Sequence, residues 1–288
     1  MEANLQALAV LAELSASGQV PTDEQLTALS LWSSWGAVPE VFEGHREDWA
    51  DLGAQVRAAL SEAEYDAART TTMNAHYTDP QVAAVMWEAL QTAGPISGGV
   101  LEPGCGAGTF MALAPEGVSM LGVELDPTTA RIAAYLNPHA QVRSEGFEKS
   151  RFPSPTGTFA AAIGNVPFGS FSLHDPIDNP QGLSIHNHFL AKAVKHLSPG
   201  GYAVLLTSSF TMDSKRSTAH THIAKYADLV GAIRLPTGAM QRVAGTDVVT
   251  DLLILRRREP GTTTTLIFNV TATTEIGQDA EGNTLQVN

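Results

Sequence analysis

The sequence predicts an α/β fold: an open, mainly parallel sheet of seven strands with a helical appendage ahead of it. Three observations lead there. From residue 99 onwards, short apolar runs alternate with helical patterns, as parallel strands joined by crossover helices require. The first run, at Val100 and Leu101, leads directly into Gly104, Gly106 and Gly108, a strand, tight turn and helix in succession. Residues 1–70 carry helical spacing only, with Leu5, Leu8, Leu11 and Leu14 on one stripe. The expected form is therefore Rossmann-like, with a helical region at 1–70, the main domain at 71–260 and a C-terminal extension at 261–288.

In order along the chain, Thr22–Gln25 and Ser61–Glu64 are capping-box patterns that start helices, and Pro21 and Gly53 interrupt them. Trp32, Trp35 and Trp49 are expected to pack this helical region onto the main domain. Strands follow at 99–103, 119–124, 140–145, 158–164, 201–207 and 228–234, and a seventh runs from Val248 to Leu255. A helix is expected to begin at Met111-Ala112-Leu113-Ala114. Residues 271–288 are polar and contain glycine, which fits a loose tail or a small edge hairpin.

The glycine segment Glu102-Pro103-Gly104-Cys105-Gly106-Ala107-Gly108 is spaced G-x-G-x-G rather than G-x-G-x-x-G, and an acid precedes it. That disfavours a dinucleotide, whose pyrophosphate needs the third glycine further along. It suits S-adenosylmethionine, which has no phosphate and whose carboxylate fits a helix start. Glu124 ends the second strand about twenty residues later, where an acid can take both ribose hydroxyls.

Asn165-Val166-Pro167-Phe168 follows the small-residue strand Phe159–Ile163. Asn165 thus falls at the carboxyl end of a strand, the edge at which open α/β sheets bind ligands. Its amide and a neighbouring backbone carbonyl can accept both hydrogens of an NH₂ group and aim the nitrogen lone pair at a sulfonium methyl. Such positioning can supply about 7–11 kcal/mol in favourable cases. Phe168 offers a flat face for a planar base, worth about 1–3 kcal/mol.

With these residues in place, the chain resembles the adenine-N6 DNA methyltransferases, whose catalytic motif is Asn-Pro-Pro-Phe or Tyr. Thr72–Pro80, Asn165–Gly169, Ser184-Ile185-His186, Pro199-Gly200-Gly201, Arg234-Leu235-Pro236 and Gly245–Asp251 resemble the methylase part of large plasmid- and phage-borne methylase–helicase proteins. Type I modification subunits are more distant kin. The resemblance implies a seven-stranded methyltransferase sheet whose last strand is antiparallel. It implies that Asn165 and the carbonyl of Val166 hold the adenine amino group, with Pro167 in the same motif and Phe168 stacked on a flipped base. It implies a cofactor site lined by Tyr77, Thr78, Glu102, Gly104, Gly106, Glu124, Leu125 and Asn165, with the segment Gly146-Phe147-Glu148 facing the cofactor's adenine. Val166 stands where the family has its first proline. Since any residue offers a carbonyl, Val166→Pro is expected to keep or raise the rate.

The charge balance constrains the partners. The net charge is −13, and residues 1–100 hold 3 Lys and Arg against 14 Asp and Glu. DNA binding rests on cations that neutralise phosphates. A DNA substrate therefore calls for a protein partner, or for further domains of a longer polypeptide, to supply contacts and sequence recognition. Within the chain, Lys215, Arg216 and Arg242 fall in loops at the active edge and are the candidate phosphate contacts. The loop Ser170–Gly182, directly after the motif, is placed to meet the nucleotide. His186 with His188, and His220 with His222, are spaced i, i+2 and share no helix face; with no acid set expected around them, no metal is expected. The single cysteine, Cys105, fits a reducing cytoplasm, and no signal peptide or membrane span is expected. The same chemistry on another planar amine, in RNA or on a glutamine side chain, and a non-catalytic cofactor-binding subunit are the alternatives.

Overall fold

The computed structural model describes residues 1–72, 78–154, 157–214, 218–236, 249–262, 274–278 and 284–287. Its centre is a seven-stranded sheet: β1 (Val100–Pro103), β2 (Met120–Glu124), β3 (Gln141–Ser144), β4 (Phe159–Asn165), β5 (Leu197–Ser208), β6 (Ala227–Arg234) and β7 (Thr250–Arg257). Their order is β3-β2-β1-β4-β5-β7-β6. Six strands run in one direction, β1 to β5 as a continuous parallel block and β6 beyond them, while β7 lies antiparallel between β5 and β6. The chain passes outward from β1 through β2 to β3, then crosses back to β4. That reversal beside β1 opens a crevice at the carboxyl ends of β1 and β4, the usual ligand position in such sheets.

Period-two alternation sends side chains of each central strand to opposite faces. In β5, Ala203 and Leu205 join Leu101, Leu190 and Val194 on one face, while Val204 and Leu206 join Val100, Met86, Trp87 and Leu90 on the other. Helix α8 (Ile185–Lys195) supplies the first cover and α5 (Pro80–Ala93) the second. Burial on both faces is why these strands read as apolar runs.

The helical front comprises α1 (Glu2–Ser17), α2 (Asp23–Ser30), α3 (Ala50–Ala59) and α4 (Glu62–Thr71). Both capping boxes form, with Thr22 paired to Gln25 and Ser61 to Glu64. Leu8, Leu11, Leu14, Trp32 and Trp35 share a core with Ile132 of α7 (Pro127–Leu136). Trp32 Nε1 donates to Thr129 Oγ1 at 3.1 Å, and Trp35 Nε1 donates to Asp126 Oδ2 at 3.0 Å. Two tryptophans thus fasten the front to the start of α7, immediately after Glu124.

Two expectations are corrected. The helix after the glycine turn, α6, is the single turn Thr109–Ala112. With Pro115 next, too few peptide dipoles align there for the helix start to attract a carboxylate strongly. The C-terminal strands β8 (Thr274–Gln278) and β9 (Thr284–Val287) pair with each other as a separate two-stranded sheet rather than at the edge of the main one. Val248 and the preceding loop with Gly238 and Gly245 lie outside the described residues.

Candidate active site

The glycine turn is wrapped onto β2. Gly104 and Cys105 donate their backbone N–H groups to Val123 O at 2.8 and 2.9 Å, and Gly106 N donates to Glu124 Oε2 at 3.0 Å. Gly104 and Gly108 have φ of 75° and 90°, a region that L side chains rarely adopt. At Gly108 a Cβ would also run into the side-chain amide of Asn137. The other oxygen of Glu124 accepts from Asp126 N at 2.8 Å. Burial pushes the Glu124 carboxyl up to about 7, although the backbone donors pull it back part of the way. Glu102, just before the turn, is 2% exposed, and burial reinforced by Glu124's charge holds it well above the usual carboxylate range. Its Oε2 has no hydrogen-bond partner among the described residues.

Asn165 is the last residue of β4, in register with Leu206 of β5. Its side chain shares one cavity with Gly104, Gly106 and Glu124. Its Oδ1 is buried and has no hydrogen-bond partner among the described residues. A buried acceptor left unpaired costs about 1–3 kcal/mol. Such an atom is retained where a ligand supplies the donor. The two motifs also lie side by side, since a Cβ added to Gly104 would lie 3.6 Å from Pro167 Cδ.

The remaining sequence-based candidates separate into groups. Leu125, Gly146, Phe147 and Pro167 line the cavity with the residues above, as does Glu148. Val166 is 2% exposed with its side chain in the core, and its N–H donates to Leu206 O at 3.1 Å. A proline at 166 would remove that bond, a cost in stability that the reading of the motif did not include. Phe168 is half-buried against the same core and stands outside the cavity wall. Thr78 is buried outside it as well, next to the cap of α5. Tyr77, Lys215, Arg216 and Arg242 lie outside the described residues.

Sequence reasoning missed the contribution of the front. Ser34, Thr70 and Thr71 line the cavity. Ser34 has φ 63°, the one positive value at a non-glycine position among the described residues, and no motif announces it. From the loop after the amine motif, Phe171 and Leu173 also line it. The expectation that no acid surrounds the histidines is corrected too: Asp175 Oδ2 lies 3.2 Å from His188 Nε2, both side chains fully buried. Loop residues distant in sequence supply this carboxylate, so spacing could not reveal it. Among the described residues no cluster of His, Cys, Asp and Glu could hold a metal.

The cavity measures about 200 Å³, and no Lys or Arg lines it among the described residues. That suits a ligand without phosphates. Glu124 is placed to accept ribose hydroxyls, Phe147 and Leu125 offer apolar surface to a purine, and the glycines let the backbone approach closely. These residues fit S-adenosylmethionine.

Comparison with known proteins agrees with that geometry. A protein from Listeria monocytogenes assigned as a class I S-adenosylmethionine-dependent methyltransferase aligns over 92% of this chain and 91% of its own, with TM-score 0.56 and 15% identity. The fold is that of the class I methyltransferases. The methyltransferase subunit of a type I restriction-modification system from Streptococcus thermophilus aligns over 89% of this chain and 66% of its own, with TM-score 0.55 and 16% identity. In sequence, the chain is 28% identical over 213 residues to the Defense against restriction protein B of Escherichia phage P1. That match covers 73% of this chain but 9% of the phage protein, so the chain spans under a tenth of its relative's length. No family model matches. Among the described residues no helix of this methyltransferase fold is long and apolar enough to cross a membrane.

Proposed function

We propose that this chain transfers a methyl group from S-adenosylmethionine to the N6 amino group of adenine in DNA. The observation that carries the reading is the buried, unpartnered Oδ1 of Asn165 beside the glycine turn. When bound, the cofactor supplies an electrophilic methyl on a sulfonium, which leaves as a neutral thioether. Asn165 Oδ1 and the Val166 carbonyl accept the two amino hydrogens, which biases the nitrogen towards tetrahedral geometry and takes its lone pair out of conjugation with the ring. The methylated amine then releases one proton to solvent and regains neutrality. Phe168 supplies an aromatic face for the flipped base. Glu124 holds the ribose, and Phe147 covers the cofactor's purine. Burial and the nearby charge of Glu124 both favour the protonated form of Glu102, which limits repulsion between the two carboxyls.

DNA recognition then belongs to a partner or to further parts of a longer polypeptide. The acidic front, a cavity wall without Lys or Arg among the described residues and the small share of the phage relative that the chain spans support this. The type I subunit above supports a restriction-modification or phage-defence setting. To test the activity, the protein is incubated with labelled S-adenosylmethionine and unmethylated DNA, RNA or peptide, and the digested products are identified by mass spectrometry. N6-methyladenine from DNA, absent with Asn165→Ala, is the expected result. Label in RNA or glutamine would redirect the substrate, and cofactor binding without transfer to any acceptor would overturn catalysis.

A further inference from the structure

Two walls of the cavity are tied together by one buried ammonium. Lys192, in α8, has a side chain with no solvent exposure. Its Nζ donates to the backbone oxygen of Phe147 at 2.7 Å and to Asp175 Oδ2 at 2.8 Å, and lies 3.2 Å from Asp178 Oδ2. It also stands 5.1 Å from the centre of the Phe147 ring. Asp175 in turn organises its own loop, because its Oδ1 accepts from the N–H groups of Ile177 at 3.2 Å and Asp178 at 3.1 Å. Phe147 belongs to the cofactor wall, whereas Phe171 and Leu173, shortly before Asp175, belong to the wall after the amine motif.

Apolar side chains would have held α8 on the sheet without taking a cation out of water, which is costly unless it is fully paired. What the ammonium adds is direction: it fixes a backbone oxygen on one wall relative to a carboxylate on the other. We propose that Lys192 is a positioning residue that couples occupancy of the cofactor wall to ordering of the loop after the amine motif. The proposal rests on the cofactor reading above. Ligand that immobilises Phe147 immobilises its carbonyl, and through Nζ and Asp175 the loop that bears Phe171 and Leu173.

Hydrogen exchange with and without S-adenosylhomocysteine tests this on the wild type, Lys192→Met and Asp175→Asn. In the wild type, ligand should slow exchange both at Gly104–Gly108 and at 170–183. In Lys192→Met, protection at the glycine turn should persist while protection of the loop disappears. Methyl transfer should fall by about a hundredfold in kcat, as expected for a misplaced reacting group, with KM for the cofactor little changed. If Lys192→Met does not fold, Asp175→Asn, which keeps the ammonium on the Phe147 oxygen and leaves it Asp178 as a loop carboxylate, should shift loop protection and kcat in the same direction by a smaller amount. Loop protection and kcat like the wild type in either folded variant would overturn the coupling. A wild type that gains no protection at Gly104–Gly108 would overturn the cofactor reading itself, and this proposal with it.

Discussion

On the β2 side of the cavity, both oxygens of Glu124 are engaged by the backbone N–H groups of Gly106 and Asp126. On the β4 side, the acceptor oxygen of Asn165 is equally enclosed and meets no donor among the described residues. The first wall is preorganised by its own chain: the acid is held in place before any ribose arrives. The second carries an unmet demand that a ligand amine can satisfy. On the proposed reading, the contrast separates a half that binds from a half that reacts. Changes on the Glu124 side should act on affinity, and changes on the Asn165 side on rate.

The largest expected effect is that of Asn165→Ala. Methyl transfer should fall by about a hundredfold or more through lost positioning, while thermal stability holds or rises because an unpaired buried acceptor is removed. A cofactor dissociation constant that moved as much as kcat would break the distinction between the walls.

Glu124→Gln should act the other way. Losing hydrogen bonds to a charged acceptor costs about 1.5–3 kcal/mol, or about ten- to a hundredfold in cofactor affinity. Calorimetry with S-adenosylhomocysteine measures it.

The raised Glu124 pKa sharpens the same point. With its folded value at about 7, above that of an exposed carboxylate, the folded protein holds this proton more tightly than the unfolded chain does. The stability tied to that proton is complete below the ordinary carboxylate range and is lost as pH rises through about 7. Ribose hydroxyls donate best to the ionised form, so binding below that pH should expel a proton. Cofactor affinity in the wild type should therefore climb from pH 6 to 7.5 and then level, by up to about tenfold per unit at the acid end, whereas Glu124→Gln should stay flat. Calorimetry in buffers of different ionisation heat counts the proton.

Val166→Pro should have the smallest effect. Loss of the bond from Val166 N–H to Leu206 O should cost about 1 kcal/mol of stability, read from chemical denaturation. Cofactor affinity should be unaffected.

The strands were legible because the central ones are covered on both faces, which leaves unbroken runs such as Val204-Leu205-Leu206. The junction of the two motifs was legible too, since glycine spacing and Asn165 each sit at a strand's end. Ser34 was not: it reaches the cavity because Trp32 and Trp35 dock on Thr129 and Asp126, a contact between segments about a hundred residues apart that leaves no local pattern. The brevity of α6 was only half legible, because Pro115 is visible but Leu113 and Ala114 suit a helix well. Asp175 was hidden by its loop setting, where nothing in the sequence pairs it with Lys192.

At the far side of the sheet, Arg234 at the end of β6 grips Asp251 near the start of β7 with two hydrogen bonds, at 2.8 and 3.0 Å, and reaches Asp213 at 2.8 Å. The polypeptide therefore departs and re-enters through a clasp whose jaws are already shut. The junction of β6 with β7 at this end is thereby held by charge as well as by the strand ladder.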